Sequence, residues 1–186
     1  NGDGTFDKTI TSGNELTHDN YIIKTDIIPP KTANDLQGTG GTNGWFTSDV
    51  TVTLTATDNP DGSGVASTEY SLDGGTTWKA YSNTPFTIST EGITTVSYRS
   101  TDNAGNVEDT KTQVISIDKT PPLITINSPK DGGEYALNAV VKADYTATDS
   151  VSDIATVTNS VPVGGTINTA TPGSYTFTVT ATDKAG

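Results

Sequence analysis

The chain has 186 residues, with no cysteine, no methionine, a single histidine, and only 10 basic residues against 22 acidic ones. Lack of cysteine excludes a disulfide framework and a thiolate metal site, although it assigns no compartment. The formal net charge of -12 and a sequence pI near 4.2 repel phosphate backbones and anionic lipid surfaces. Nucleic acid is thereby excluded as a partner and divalent cations are favoured. No stretch approaches the roughly 18 apolar residues of a membrane span, and no signal peptide opens the sequence, which is read as starting inside a mature or excised chain. No Asn-x-Ser/Thr sequon occurs, which speaks against a heavily N-glycosylated coat. His18 lies in a polar stretch without a serine-nucleophile signature and is read as a surface residue. Carboxylates are plentiful, but glycoside hydrolysis needs two of them across a cleft, and nothing in the sequence suggests one. The chain is expected to be non-catalytic.

A helical period of 3.6 is also missing, and a period of two takes its place. In "DVTVTLTATD", Val50, Val52, Leu54 and Ala56 fall on one face and Thr51, Thr53, Thr55 and Thr57 on the other. The same alternation runs through Val96 and Tyr98, Ile115 and Ile117, Val141 to Ala147, and Tyr175 to Ala181. Between these runs stand Gly, Pro, Asn and Asp clusters such as "DGSG", "DNAGN", "SPKDGG" and "TPG". "SLDGGTTW" is read as a hairpin, because Asp-Gly and Gly-Gly supply the positive φ angles that tight turns need. Hydrophobic residues make up only 31% of the chain, which suits sheets that bury one face. Short strands with frequent turns predict an all-β fold of antiparallel β-sandwiches.

Repetition divides the chain. "DIIPP" and "DKTPP" share Asp-x-x-Pro-Pro, with Pro29 and Pro121 92 residues apart. "ATD" at Ala56 recurs at Ala147 after 91 residues, and "TDNAG" at Thr101 recurs as "TDKAG" at Thr182 after 81. The predicted organisation is a leading segment over 1–27, the end of a preceding domain or a linker; a sandwich over 28–119; and a second over 120–186. The second stops at "TDKAG", where the first continues through "NVEDTKTQVISID", so its last strand is expected to be missing.

"NGWFTSDVTVTLTATDNPDGSGVASTEYSLDGGTTW" with "EGITTVSYRSTDNAGNVE", and "ATDSVSDIATVTNSVPVGGTINTATPGSYTFTVTATDKAG" after them, resemble the tandem Ig-like modules of bacterial and archaeal surface proteins and secreted polysaccharide-degrading enzymes. The second unit is similar to the HYR type within that group. The resemblance covers about 160 residues. It implies tandem Ig-like antiparallel β-sandwiches, secreted or cell-surface, serving as spacer, stalk or accessory module beside neighbouring domains of the same polypeptide. The alternative it carries is a carbohydrate-binding or adhesin module accessory to a polysaccharide-degrading enzyme, with a polysaccharide or surface ligand as partner. One departure is Asp153, where the family usually has Gly.

Topology makes the acidic loops candidate sites. In a seven-stranded Ig-like sandwich the loops after the second and sixth strands lie at the pole where the first strand enters, so "DNPDGSG", "DNAGN" and the Asp-x-x-Pro-Pro linker should meet there. Each loop alone is a turn, since Asp and Asn initiate turns. Together, Asp26, Asp58, Asp61 and Asp102, with Asn103 and Asn106, supply the hard oxygens of which Ca2+ takes about six to eight. Asp118, Asp149 and Asp183 are placed alike in the second unit, a thinner set. A third candidate for Ca2+ is "NGDGTFD", with Asn1, Asp3 and Asp7 at the spacing of a calcium loop around Gly4, although Ile10 stands where such a loop ends in Glu. Trp45, Trp78 and Tyr81 are candidates for stacking on a sugar; exposed, coplanar rings would favour that reading and buried rings the spacer. Tyr175 in "PGSYTF" suggests a corner tyrosine whose hydroxyl bonds nearby backbone.

Overall fold

The computed structural model describes residues 26–186 in full and, before them, the backbone of strands β1 (Thr5–Thr9) and β2 (Leu16–Asn20), which pair antiparallel. Among the described residues there is no helix. The chain is all-β, in several sheets built from antiparallel pairs apart from one short parallel contact.

Two sheets arise from the first unit. β3 (Lys31–Gln37), β5 (Val50–Thr57) and β8 (Phe86–Ile88) form one, in the order β3-β5-β8. β4 (Trp45–Phe46), β6 (Val65–Ser71), β7 (Lys79–Ala80), β9 (Gly92–Asp102) and β10 (Lys111–Ile117) form the other, in the order β4-β10-β9-β6-β7. Alternation decides which side of each strand turns inward. Val50, Val52 and Leu54 of β5 are buried and share one core with Ile88, Val96, Tyr98, Ile115 and Ile117, contributed by both sheets. Burying each of these large side chains contributes about 1.5 to 3 kcal/mol. The hairpin read in "SLDGGTTW" forms as β6 and β7, with Gly74 at φ 72° and Gly75 at φ 89°. Asp73 holds its turn by accepting from the Ser71 hydroxyl and the Thr77 amide. The Thr77 hydroxyl, then its amide, keep the Asp73 carboxyl far below the usual carboxylate range.

The second unit repeats part of this pattern. β11 (Leu123–Ser128) pairs with β12 (Asp144–Thr148) as β3 pairs with β5, each following a Pro-Pro pair. β13 (Ile154–Asn159) pairs with β14 (Val179–Asp183) as β6 pairs with β9. The place that β10 takes beside β9 has no counterpart beside β14 among the described residues. Its core is thin: Ala143, Tyr145 and Ala185 are buried, whereas Leu123, Val163 and Tyr175 are exposed. β14 starts at Val179, later than the alternation from Tyr175 suggests, because the Ser160 hydroxyl, not a backbone carbonyl, accepts the Thr178 amide. Tyr175 donates its hydroxyl to the Thr171 carbonyl at 3.1 Å, the local backbone bond expected of it. Asp153 sits at φ 66°, the left-handed region in which Gly is the unstrained residue.

The linker is strapped to the first unit. Lys119 donates from Nζ to Asp49 at 2.9 Å and to the Ser89 carbonyl, while its amide and the Thr120 hydroxyl donate to Glu91. From the other side, the tail of the second unit docks on the turn before β4: the Thr42 amide donates to Ala185 O at 2.7 Å, and the Thr42 hydroxyl and Asn43 Nδ2 donate to Lys184 O. A Cβ on Gly41 would stand 2.2 Å from Ala185 O, so the approach requires glycine there.

Candidate cation sites at the two poles

Strand register delivers carboxylates to both poles. Because side chains two apart share a face, the inward run Val50, Val52, Leu54, Ala56 continues to Asp58. In β9 the buried run Val96, Tyr98, Ser100 continues to Asp102. The inner faces of opposed sheets therefore end in carboxylates that meet beside Asp26 of the linker. One oxygen each from Asp26, Asp58 and Asp102 lies within 4.8 Å of the others. The second unit does the same with Asp149 one step beyond β12, Asp183 ending β14, and Asp118 of the linker, again within 4.8 Å.

The two clusters differ in how their oxygens are satisfied. In the first, every carboxylate oxygen accepts a hydrogen bond. Asp26 takes the amides of Ile28 (3.1 Å) and Ser63 (2.7 Å), and Asp58 those of Asn59 (2.9 Å) and Gly64 (2.6 Å). Asp102 takes the Asn106 amide at 2.8 Å and the Asn106 Nδ2 at 2.7 Å. A Cβ on Gly62 would come within 2.6 Å of Asp58 Oδ2, so a side chain there would push that carboxylate aside. In the second cluster all bonds go to Oδ1: Thr120 N to Asp118 (3.0 Å), Val151, Ser152 and Asp153 N to Asp149, and Ala185 and Gly186 N to Asp183 (2.8 and 2.7 Å). Asp118 is only 2% exposed, and its Oδ2 has no hydrogen-bond partner.

The other residues read as ligands have different work. Asp61 is exposed, at φ 63° in the loop, and lies outside the three-carboxylate group. Asn103 donates Nδ2 to the Ser63 and Gly64 carbonyls and so ties the two loops together. Asn106 turns its Nδ2 toward Asp102 and the Asp26 carbonyl, acting as a donor inside the cluster. Asn1 and Asp3 lie outside the described residues; Asp7 falls in β1 and His18 in β2, and neither side chain is among those described.

The aromatic trio does not form a platform. Tyr81 is a core residue, 8% exposed, set edge-on to Phe86 and accepting the Leu54 amide on its hydroxyl oxygen, so its ring is not offered to a sugar. Trp45 and Trp78 are half-buried and lie toward opposite edges of the five-stranded sheet. With strands about 4.8 Å apart, four strand spacings put those edges roughly 19 Å apart. The Arg99 guanidinium covers a face of Trp78 at 4.1 Å from its centroid and pairs with Glu69.

One buried network escapes a reading by sequence pattern. Beneath the first pole, Glu108 (6% exposed) accepts the Thr32 amide at 3.1 Å, the Thr32 hydroxyl, and Lys111 Nζ at 3.0 Å. Ser100 bonds to both Thr32 and Thr68, which joins β3, β9 and β6 across the sandwich.

Asp26 gives a pH test. The Ser63 amide, then the Ile28 amide, hold its carboxyl below the usual carboxylate range. A lowered folded pKa contributes stability that is present above the unfolded value and lost as pH falls through the folded one. Thermal melts from pH 5 downward should therefore show a shallower acid decline in Asp26→Asn than in the wild type, and parallel declines would contradict this.

Comparison of the chain with protein-family models, curated proteins and solved structures found no match.

Proposed function

We propose that this chain is a non-catalytic spacer or stalk module: two Ig-like sandwiches in tandem, the second of HYR type, from a larger secreted or cell-surface protein. The observation that carries the reading is the joint. The linker is bonded to the first unit through Asp49, Ser89 and Glu91, and the tail of the second unit is bonded back onto Thr42 and Asn43. Two units held at both ends of a short linker transmit orientation, which a spacer requires and a flexible tether does not. Proline at Pro121 and Pro122 further limits bending, because its ring fixes φ. Support also comes from the repeated strand pairing after each Asp-x-x-Pro-Pro, and extracellular placement comes from the family resemblance.

Pulling the chain by its ends in a force spectrometer tests this. A load-bearing pair gives discrete ruptures, with the 92 residues of 28–119 releasing about 300 Å of contour. Smooth extension without a rupture would overturn the spacer reading.

A further inference from the structure

We propose that Asp118, Asp149 and Asp183 form a divalent-cation site, of the Ca2+ class, that closes the joint between the two units. The inference concerns the joint itself and stands apart from the spacer reading. A group of carboxylates alone would not carry it; the buried oxygens without partners do. Among the described residues, two buried side-chain oxygens lack a hydrogen bond: Asp118 Oδ2 and Ser152 Oγ. Both belong to segments that build this cluster. Ser152 is 3% exposed and lies in the loop whose amides hold Asp149. Buried acceptors without partners are uncommon in folded proteins and call for a ligand. Three carboxylates gathered this closely repel one another, and a bound cation relieves that repulsion.

The donor chemistry selects the ion. Among the described residues the group consists of carboxylates alone, with no nitrogen or sulfur ligand, and hard oxygens suit Ca2+ or Mg2+. Oxygens bound to one Ca2+ at about 2.4 Å stand at most about 4.8 Å apart, and the three carboxylates meet that limit. The backbone amides on each Oδ1 orient the carboxylates and leave the second oxygens for the ion. A cleft of about 290 Å³, lined by Thr47, Asp118, Asp183, Ala185 and Gly186 among others, opens beside the cluster and gives the ion and its waters access.

The cluster takes its ligands from both sides of the joint. Asp118 directly follows β10, and its amide donates to Phe46 O of β4 at 2.9 Å, which fixes it to the first unit. Asp149 and Asp183 belong to the second. Asp183 also accepts the amides of Ala185 and Gly186, the segment that docks on Thr42. An ion here would thus neutralise three like charges and lock the docked tail in one step. The first cluster has no such vacancy in its hydrogen bonding, since internal donors reach all six of its oxygens.

Titration calorimetry of the chelator-treated full chain with CaCl2, paired with thermal melts, tests the site. The wild type should bind Ca2+ and melt higher with it, and MgCl2 at equal concentration should raise the melting temperature less. Asp118→Asn keeps the shape and the Thr120 bond but removes the charge, and should weaken binding at this site at least tenfold. Asp149→Asn, at a less buried position, should do the same and serves if the first variant folds poorly by circular dichroism. Absence of Ca2+ binding in the wild type, or unchanged stoichiometry and affinity in both variants, would overturn the proposal. An equal effect of MgCl2 would overturn the assignment to Ca2+.

Discussion

Replacing Glu108 by alanine should lower the stability of the first unit by about 2 to 3 kcal/mol, read as a fall of roughly 1 M in the urea midpoint. The carboxylate accepts the buried Thr32 amide and also holds the Thr32 hydroxyl and Lys111. Truncation leaves that amide buried without a partner and opens a void where three strands meet. Lys111 is 40% exposed at its side chain and regains water, so the loss stays below that of a fully buried ion pair. Glu108→Gln retains one acceptor oxygen and should cost less than half as much. If alanine and glutamine were equally mild, the network would be peripheral to stability.

This network shows where reading the sequence stops short. Period two identified β5, β9 and β10 because Val and Ile on one side contrast with Thr on the other. The rule fails where an inward position is itself Thr or Ser. Thr32, Thr68 and Ser100 look like residues of the wet face, yet they are buried, and only the three-dimensional meeting of strands reveals the chain of hydroxyls that ends on Glu108. Glu108 lies outside any strand, so no alternation marks it.

The acidic poles were legible for a related reason. Asp58 and Asp102 fall in the same parity as the buried residues preceding them, Asp183 in that of the half-buried Val179 and Ala181, and the repeat shows which linker Asp joins each set. Asp61, Asn103 and Asn106 were grouped with them by composition, but the two asparagines use their Nδ2 groups as donors, Asn103 to the Ser63 and Gly64 carbonyls and Asn106 to Asp102. Asn103 follows Asp102 and points to the other side, and Asp61 sits in a loop beyond the reach of strand register. The relative standing of the two clusters was not legible, because it depends on which oxygens the backbone amides leave unmatched. The set that looks thinner in sequence is the one with a buried acceptor unsatisfied.

The second large effect concerns the joint. Gly41→Val should release the tail of the second unit, since even a Cβ would sit 2.2 Å from Ala185 O, and backbone on both sides leaves no flexible atom to yield. The first-unit core lies elsewhere, so its own unfolding midpoint should hardly change. What should change is the relation of one unit to the other. Three bonds from Thr42 and Asn43 to Lys184 and Ala185 would be lost together, leaving Asp118 and the proline pair as the remaining link.

The chain has no cysteine, so two spin labels can be introduced without background, at the exposed positions Thr55→Cys on β5 and Thr158→Cys on β13. The distance distribution between them, measured by pulsed electron resonance in excess CaCl2 and again in chelator, tests the central claim of a cation-locked joint. The account predicts one narrow distance with Ca2+, a broader spread in chelator, and a broad spread in Gly41→Val with or without the ion; identical distributions in Ca2+ and chelator for the otherwise unaltered chain would contradict it.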